Sequence, residues 1–205
     1  MAKPLFFVLD GPDGGGKSTQ CRKLVERLRS DGRSVVACSD PGGTEVGTIL
    51  RHLLLESSCA LAPACEALLF MASRAQLVAD VIRPALNAGQ IVVSDRFLLA
   101  NVVYQGHAGG LDVDALWRVG ELAAQGIQPD RTFVLDLPLD LSMQRRKKSL
   151  DRLERRDFAY HQRVREGFLA EAQRRPEMIR VIDASLPPDV VAEHIWAGVS
   201  PLLTS

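Results

Sequence analysis

No stretch of the chain approaches the roughly eighteen consecutive apolar residues that a membrane-crossing helix needs, so a helical span is excluded. Charge of one sign is also missing. The 25 Lys and Arg residues are balanced by 25 Asp and Glu, and a net charge of zero gives no global pull toward nucleic acid or an anionic membrane. Cysteine is sparse: Cys21, Cys38, Cys59 and Cys65 lack paired metal-ligand spacing, and reduced, buried thiols are the plainer expectation. There is no low-complexity tract and no internal repeat. Met1-Ala2-Lys3-Pro4 leads straight into an apolar run too short for a secretory signal core, so a cytoplasmic protein is expected. What remains is a 205-residue chain, 46% hydrophobic and 24% charged, read most simply as one globular domain over 1–205.

The chain is organised around Gly11-Pro12-Asp13-Gly14-Gly15-Gly16-Lys17-Ser18, followed by Thr19, which fits G-x-x-x-x-G-K-[ST] at every fixed position. The apolar run at 5–9 precedes it as a buried strand, and helical spacing of Cys21, Leu24, Val25 and Leu28 follows. In that setting the glycines at 14, 15 and 16 let the backbone bend tightly and come close to a phosphate. The amides opening the helix face an anion, Lys17 supplies a charge for β- and γ-phosphates, and the Ser18 hydroxyl is a Mg²⁺ ligand. The sequence predicts binding of a nucleoside triphosphate over residues 11–19 rather than a plain glycine turn.

Strand and helix patterns then alternate. Strands are predicted at 34–38, 90–94, 132–136 and 178–182, and helices at 46–55, 63–86, 113–124, 139–146, 158–174 and 187–203. A short helix with a glycine-rich loop fits 97–110 best. The pattern implies an α/β fold, a five-stranded parallel sheet flanked by helices. Ligands of such sheets bind beyond the carboxyl ends of the strands, where Asp10 to Ser18, Ser39 to Thr44, Asp95-Arg96, Asp136 and Asp183 all fall. Asp95 and Arg96, adjacent at a strand end, send their side chains in opposite directions. Phe70 and Arg74, four apart on one helix, share a face.

The phosphate loop alone does not choose between a kinase, a GTPase, a motor and a transport ATPase. Leu69-Phe70-Met71-Ala72-Ser73-Arg74-Ala75-Gln76, Pro84-Ala85-Leu86, Asp95-Arg96 and Ala100-Asn101-Val102-Val103-Tyr104-Gln105-Gly106 resemble bacterial thymidylate kinase. Pro41-Gly42-Gly43-Thr44 and Leu150-Asp151-Arg152-Leu153-Glu154 agree, and the resemblance covers nearly the whole chain. It implies a P-loop nucleoside monophosphate kinase that transfers the ATP γ-phosphoryl group to dTMP, with Mg²⁺, as a homodimer. By the same resemblance Phe70 stacks on thymine and Arg74 donates to it, Asn101 and Gln105 face the acceptor nucleotide, and Tyr104 packs against C2′. Arg96 clamps the acceptor phosphate, Asp13 meets the 3′-hydroxyl, and Asp95 holds Mg²⁺ directly or through water. The basic stretch at 145–156 resembles a short lid that closes over ATP and brings an arginine to the γ-phosphate, Arg152 first and Arg146 second. Gly14 stands where eukaryotic relatives carry a catalytic arginine.

The match weakens at Ser39-Asp40-Pro41, where relatives commonly read Arg-Glu-Pro, and at Leu98 and Leu99, which replace positions often polar. Asp40-Pro41 remains a candidate cis peptide. The rival readings are another nucleoside monophosphate or deoxynucleoside kinase, and a non-catalytic nucleotide-binding relative.

Overall fold

The computed structural model describes residues 4–145 and 151–203. Its centre is β1 (Phe6–Asp10), five residues with both faces covered and all of them buried. β3 (Ile91–Asp95) and β4 (Arg131–Asp136) flank it, β2 (Val35–Ser39) and β5 (Ile179–Asp183) form the edges, and the order is β2-β3-β1-β4-β5. All four pairings are parallel, as crossovers through helices require. The register aligns Leu9 with Asp95 and Phe133, and Asp136 with Asp183, so the acidic strand ends meet at one edge of the sheet.

Apolar side chains alternate to opposite faces and pack against helices on both. On one, Phe7, Leu9, Phe133 and Leu135 meet Leu24 and Leu28 of α1 (Lys17–Ser30) and Ile195 and Val199 of α9 (Pro188–Leu203). On the other, Phe6, Val8 and Val92 meet Met71 and Leu77 of α3 (Pro63–Leu77) and Leu116 of α6 (Val113–Ala123). Side-chain caps start three helices: Thr44 for α2 (Glu45–Leu55), Asp112 for α6 and Asp157 for α8 (Phe158–Arg174).

The single helix expected over 63–86 is interrupted. α3 passes into a π-helical turn at Val78–Ile82 before α4 (Arg83–Asn87). Pro84 gives the reason: it has no N–H to donate and its ring crowds the carbonyl four residues back, which a wider turn relieves. A second π-helical turn, Val102–His107, continues α5 (Leu98–Asn101) where a loop was expected. Leu98 and Leu99 are both buried, and Leu98 fills the space beside Gly120, where a Cβ would lie 2.0 Å from its Cδ1. The polar-to-leucine departures at 98 and 99 are therefore core packing. The expectation of buried cysteines needs correction: all four are free thiols, but Cys59 and Cys65 are exposed. Among the described residues no helix is long and apolar enough to cross a membrane.

Candidate active site

The chain leaves β1 at Asp10 and turns through Gly11, whose φ of 124° is open only to glycine; a Cβ there would lie 2.7 Å from the Leu135 carbonyl oxygen. Gly14, at φ 79°, is equally restricted, because a Cβ would meet the Ser142 carbonyl oxygen at 2.6 Å. Position 14 therefore has no room for the arginine of eukaryotic relatives. Ser142 belongs to α7 (Leu139–Arg145), and its hydroxyl donates to the Asp13 carbonyl at 2.6 Å, which buttresses the loop from β4's side. Gly16 enters α1 with φ 83°, and no side chain among the described residues caps that helix or puts a carboxylate in its first turn. Its opening amides and dipole are thus open to an anion without competition from a cap. The Lys17 ammonium is nearly buried, donating to the carbonyls of Gly11 (3.1 Å) and Pro12 (2.8 Å) and lying 3.8 Å from Asp13. Burial pushes its pKa down, and Arg96 adds to that.

Asp95 closes β3 and Arg96 lies just beyond it, and the two take different partners. Ser18 Oγ donates to Asp95 Oδ2 at 2.6 Å. Arg96 has φ 69°, a left-handed conformation that a bulky residue adopts only when its surroundings enforce it. Its amide donates to Leu9 O and its carbonyl accepts from Ser94 Oγ, which fix the turn. The guanidinium then forks onto Asp10 Oδ1 (3.1 Å), the Gly11 carbonyl (2.9 Å), Asp13 Oδ1 and the Tyr104 hydroxyl (3.1 Å). Tyr104 in turn donates to Asp13 Oδ2 at 2.9 Å. Asp13, a carboxylate set inside a phosphate cradle, is thereby balanced by two cations and a hydroxyl.

Asp10 was expected at the ligand edge of the sheet but with no role of its own. It is wholly buried, and among the described residues its Oδ2 finds no hydrogen-bond partner. Burial pushes its carboxyl from 3.8 up to about 6, against the pull of Arg96 and Lys17. Between those values the folded chain keeps a proton that the unfolded chain has released. Stability therefore falls as pH rises from about 4 to 6, and the cost persists above 6. Asp10→Asn is expected to raise stability at pH 8 by about 1–3 kcal/mol, a gain that shrinks as pH falls below 6. Urea denaturation at pH 8 and pH 5 checks it, and a pH-independent effect would refute it.

Phe70, Arg74, Asn101, Tyr104 and Gln105 come together beside the loop, and all five are buried. Arg74 is not a solvated helix residue. It is 1% exposed and donates to Asp40 Oδ2 (2.6 Å), Asn101 Oδ1 (3.1 Å) and the Phe97 carbonyl (3.3 Å). Asp40 precedes a cis peptide bond to Pro41, and burial pushes its carboxyl up against the pull of Arg74. Arg51 of α2 donates to the Pro41 carbonyl at 2.9 Å, which puts a cation beside the turn that lacks the usual arginine.

Arg152 does not reach the phosphate loop in this structure. Its Nε donates to the Leu54 carbonyl (2.8 Å) and its Nη2 to Glu66 Oε2 (2.5 Å), on the side of Phe70 and Arg74. Leu153 is buried in the same apolar cluster as Phe70 and Tyr104. Arg146 lies outside the described residues. Ser18 and Asp95 offer a pair of hard oxygen donors beside the loop, the donor type that Mg²⁺ takes along with phosphate oxygens. Among the described residues no cluster of three or more His, Cys, Asp or Glu could hold a metal without such help.

Sequence reasoning put Asp10 and Asp40 at the ligand edge of the sheet without giving them roles, and it missed Glu66 and Ser142. Only Glu66 carried a usable signal, since Glu66, Phe70 and Arg74 recur at intervals of four and share one helical face.

Comparison with known proteins agrees with this geometry. The family description "Thymidylate kinase" matches residues 9–195. A protein of that name from Rhodopirellula baltica is 50% identical over 192 residues, 94% of this chain and 78% of the relative. Another, from Thermomicrobium roseum, is 43% identical over 97% of this chain and 95% of its own. The crystal structure of thymidylate kinase from Ehrlichia chaffeensis superposes with a TM-score of 0.79 at 28% identity, covering 96% of this chain and 98% of that one. The architecture is that of a P-loop NTPase.

Proposed function

The chain belongs to the thymidylate kinase family, and we infer that it transfers the γ-phosphoryl group of ATP to dTMP, giving dTDP and ADP. The observation that supports this most is the bridge between two half-sites. Arg96, Asp13 and Tyr104 join the phosphate loop on one side to the buried Phe70–Arg74 face on the other. A donor triphosphate and an acceptor monophosphate placed there share a common cation.

In our reading, the loop amides over residues 11–19 and the Lys17 ammonium take the β- and γ-phosphates of ATP. Ser18 and Asp95 hold Mg²⁺, which supplies charge neutralisation when bound. Arg96, whose fork suits phosphate oxygens, exchanges part of its carboxylate contacts for the acceptor phosphate. An oxygen of that phosphate forms the new bond to the γ-phosphorus as the bond to the β-γ bridging oxygen breaks, and ADP leaves with that electron pair. Little covalent work falls to the protein, so placement and charge carry the rate.

Phe70 stacks on the thymine, Arg74 and the amides of Asn101 and Gln105 read its polar edge, and Tyr104 closes the space at C2′. Asp13 takes the 3′-hydroxyl. The absence of room at Gly14 supports a cation delivered from the 145–156 stretch, Arg152 moving from Glu66 toward ATP as the first candidate and Arg146 as the second. We further propose one catalytic domain over 1–205 acting as a homodimer.

Turnover of ATP against dTMP, dUMP, UMP, CMP, AMP and thymidine tests the reading. The highest kcat/KM is expected with dTMP, and dUMP should trail by about 10–200-fold for its missing methyl group. Preference for another acceptor would mark a different kinase. Tight ATP binding with no turnover on any acceptor would mark a non-catalytic relative.

A further inference from the structure

One chain of hydrogen bonds runs from Arg152 through buried side chains to the turn after β2. Arg152 Nη2 donates to Glu66 Oε2 (2.5 Å), and Glu66 Oε1 accepts from Gln105 Nε2 (2.8 Å). Gln105 Oε1 accepts from Asn101 Nδ2 (2.8 Å), Asn101 Oδ1 from Arg74 (3.1 Å), and Arg74 Nε donates to Asp40 (2.6 Å). Glu66, Gln105, Asn101, Arg74 and Asp40 are each buried.

The chemistry of the two ends fixes the middle. A carboxylate only accepts and a guanidinium only donates. Between Glu66 and Arg74, therefore, each amide must turn its oxygen toward Arg74 and its nitrogen toward Glu66. Asn101 and Gln105 can face a base with only one polarity. The same carboxylate anchors Arg152, whose amide also donates to the Leu55 carbonyl at 3.1 Å. We propose that Glu66 is a positioning residue that couples the lid arginine to the base pocket: its two oxygens set the polarity of Gln105 and Asn101 and hold Arg152 on the acceptor side. Arg152 therefore supports dTMP binding even when ATP is absent. This rests on the acceptor-pocket assignment made above and adds to it a link between the lid and the base.

The test is calorimetric titration of dTMP alone, and of ATP alone, into the full chain. Glu66→Gln puts an amide nitrogen opposite Arg152 or Gln105, both donors, so one of the two contacts is lost in either orientation. Glu66→Gln and Arg152→Gln are each expected to weaken dTMP by about tenfold, the scale of one charge-assisted bond, and the double variant is expected to weaken it no further. General structural damage from Glu66→Gln would weaken ATP and dTMP alike, whereas the coupling weakens dTMP selectively. Arg152 is partly exposed, so its variant remains informative even if Glu66→Gln does not fold. If Arg152→Gln leaves dTMP affinity unchanged, or the two losses simply add, the coupling is wrong. Gln105→Ala separates the two levels. If it weakens dTMP while Arg152→Gln does not, only the coupling fails; if Gln105→Ala has no effect, the pocket assignment fails and the coupling falls with it.

Discussion

Lys17→Ala is expected to lower kcat by about 10²–10³ or more, the range seen when one charge-stabilising donor is removed from a water-excluded site. The ammonium is held by two loop carbonyls and by Asp13, at the start of the helix whose first amides are uncapped. Burial has already lowered its proton affinity, so a phosphate anion that restores a full counter-charge is strongly preferred there. The amides remain in the variant, so ATP binding should weaken less than turnover, and the loss should appear chiefly in kcat. Steady-state kinetics at saturating dTMP measure it. A variant that keeps kcat within about tenfold would mean the charge on the γ-phosphate comes from elsewhere.

Arg74→Ala is expected to remove about 3–5 kcal/mol of stability as well as weakening dTMP binding. By the family resemblance Arg74 serves the base, and its loss should chiefly weaken dTMP binding. Its burial changes that expectation. Asp40 would be left as a buried carboxylate with its cation gone, while among the described residues its Oδ1 already lacks a partner. Asn101 and the Phe97 carbonyl would lose their donor too. Arg74→Lys should lie between, because an ammonium keeps the charge without the fork that reaches three groups. Urea denaturation with and without dTMP separates the two effects. A stability loss below about 1 kcal/mol would show that Asp40 does not depend on Arg74.

Periodicity and turn chemistry made most of the architecture legible. β1, the phosphate loop and α1 follow from one apolar run, three glycines and a helical repeat, and each of the five strands falls within a residue or so of its expected place. The π-helical turns at Val78–Ile82 and Val102–His107 were not legible, because one extra residue per turn barely disturbs a helical apolar pattern. At the candidate site, the loop and the strand-end position of Asp95 and Arg96 could be read from the pattern, whereas the Phe70–Arg74 face was assigned to the site by the family resemblance. Asp40 and Glu66 could not be assigned partners, because Arg74 lies 34 residues from Asp40 and Arg152 lies 86 residues from Glu66. Asp10 was hidden differently: at the end of a buried strand, nothing in its immediate sequence says whether the carboxylate reaches solvent or is enclosed. Its raised proton affinity is a product of the fold.

The central claim is that ATP and dTMP occupy adjoining halves of one site, joined at Arg96 and Asp13. It is tested most directly by titrating the chain with a compound in which adenosine and thymidine are linked 5′ to 5′ through a polyphosphate bridge. The account predicts one molecule bound per chain, displacing both ATP and dTMP. A compound that displaces only one of the two nucleotides, or ATP and dTMP that exclude each other, would contradict it.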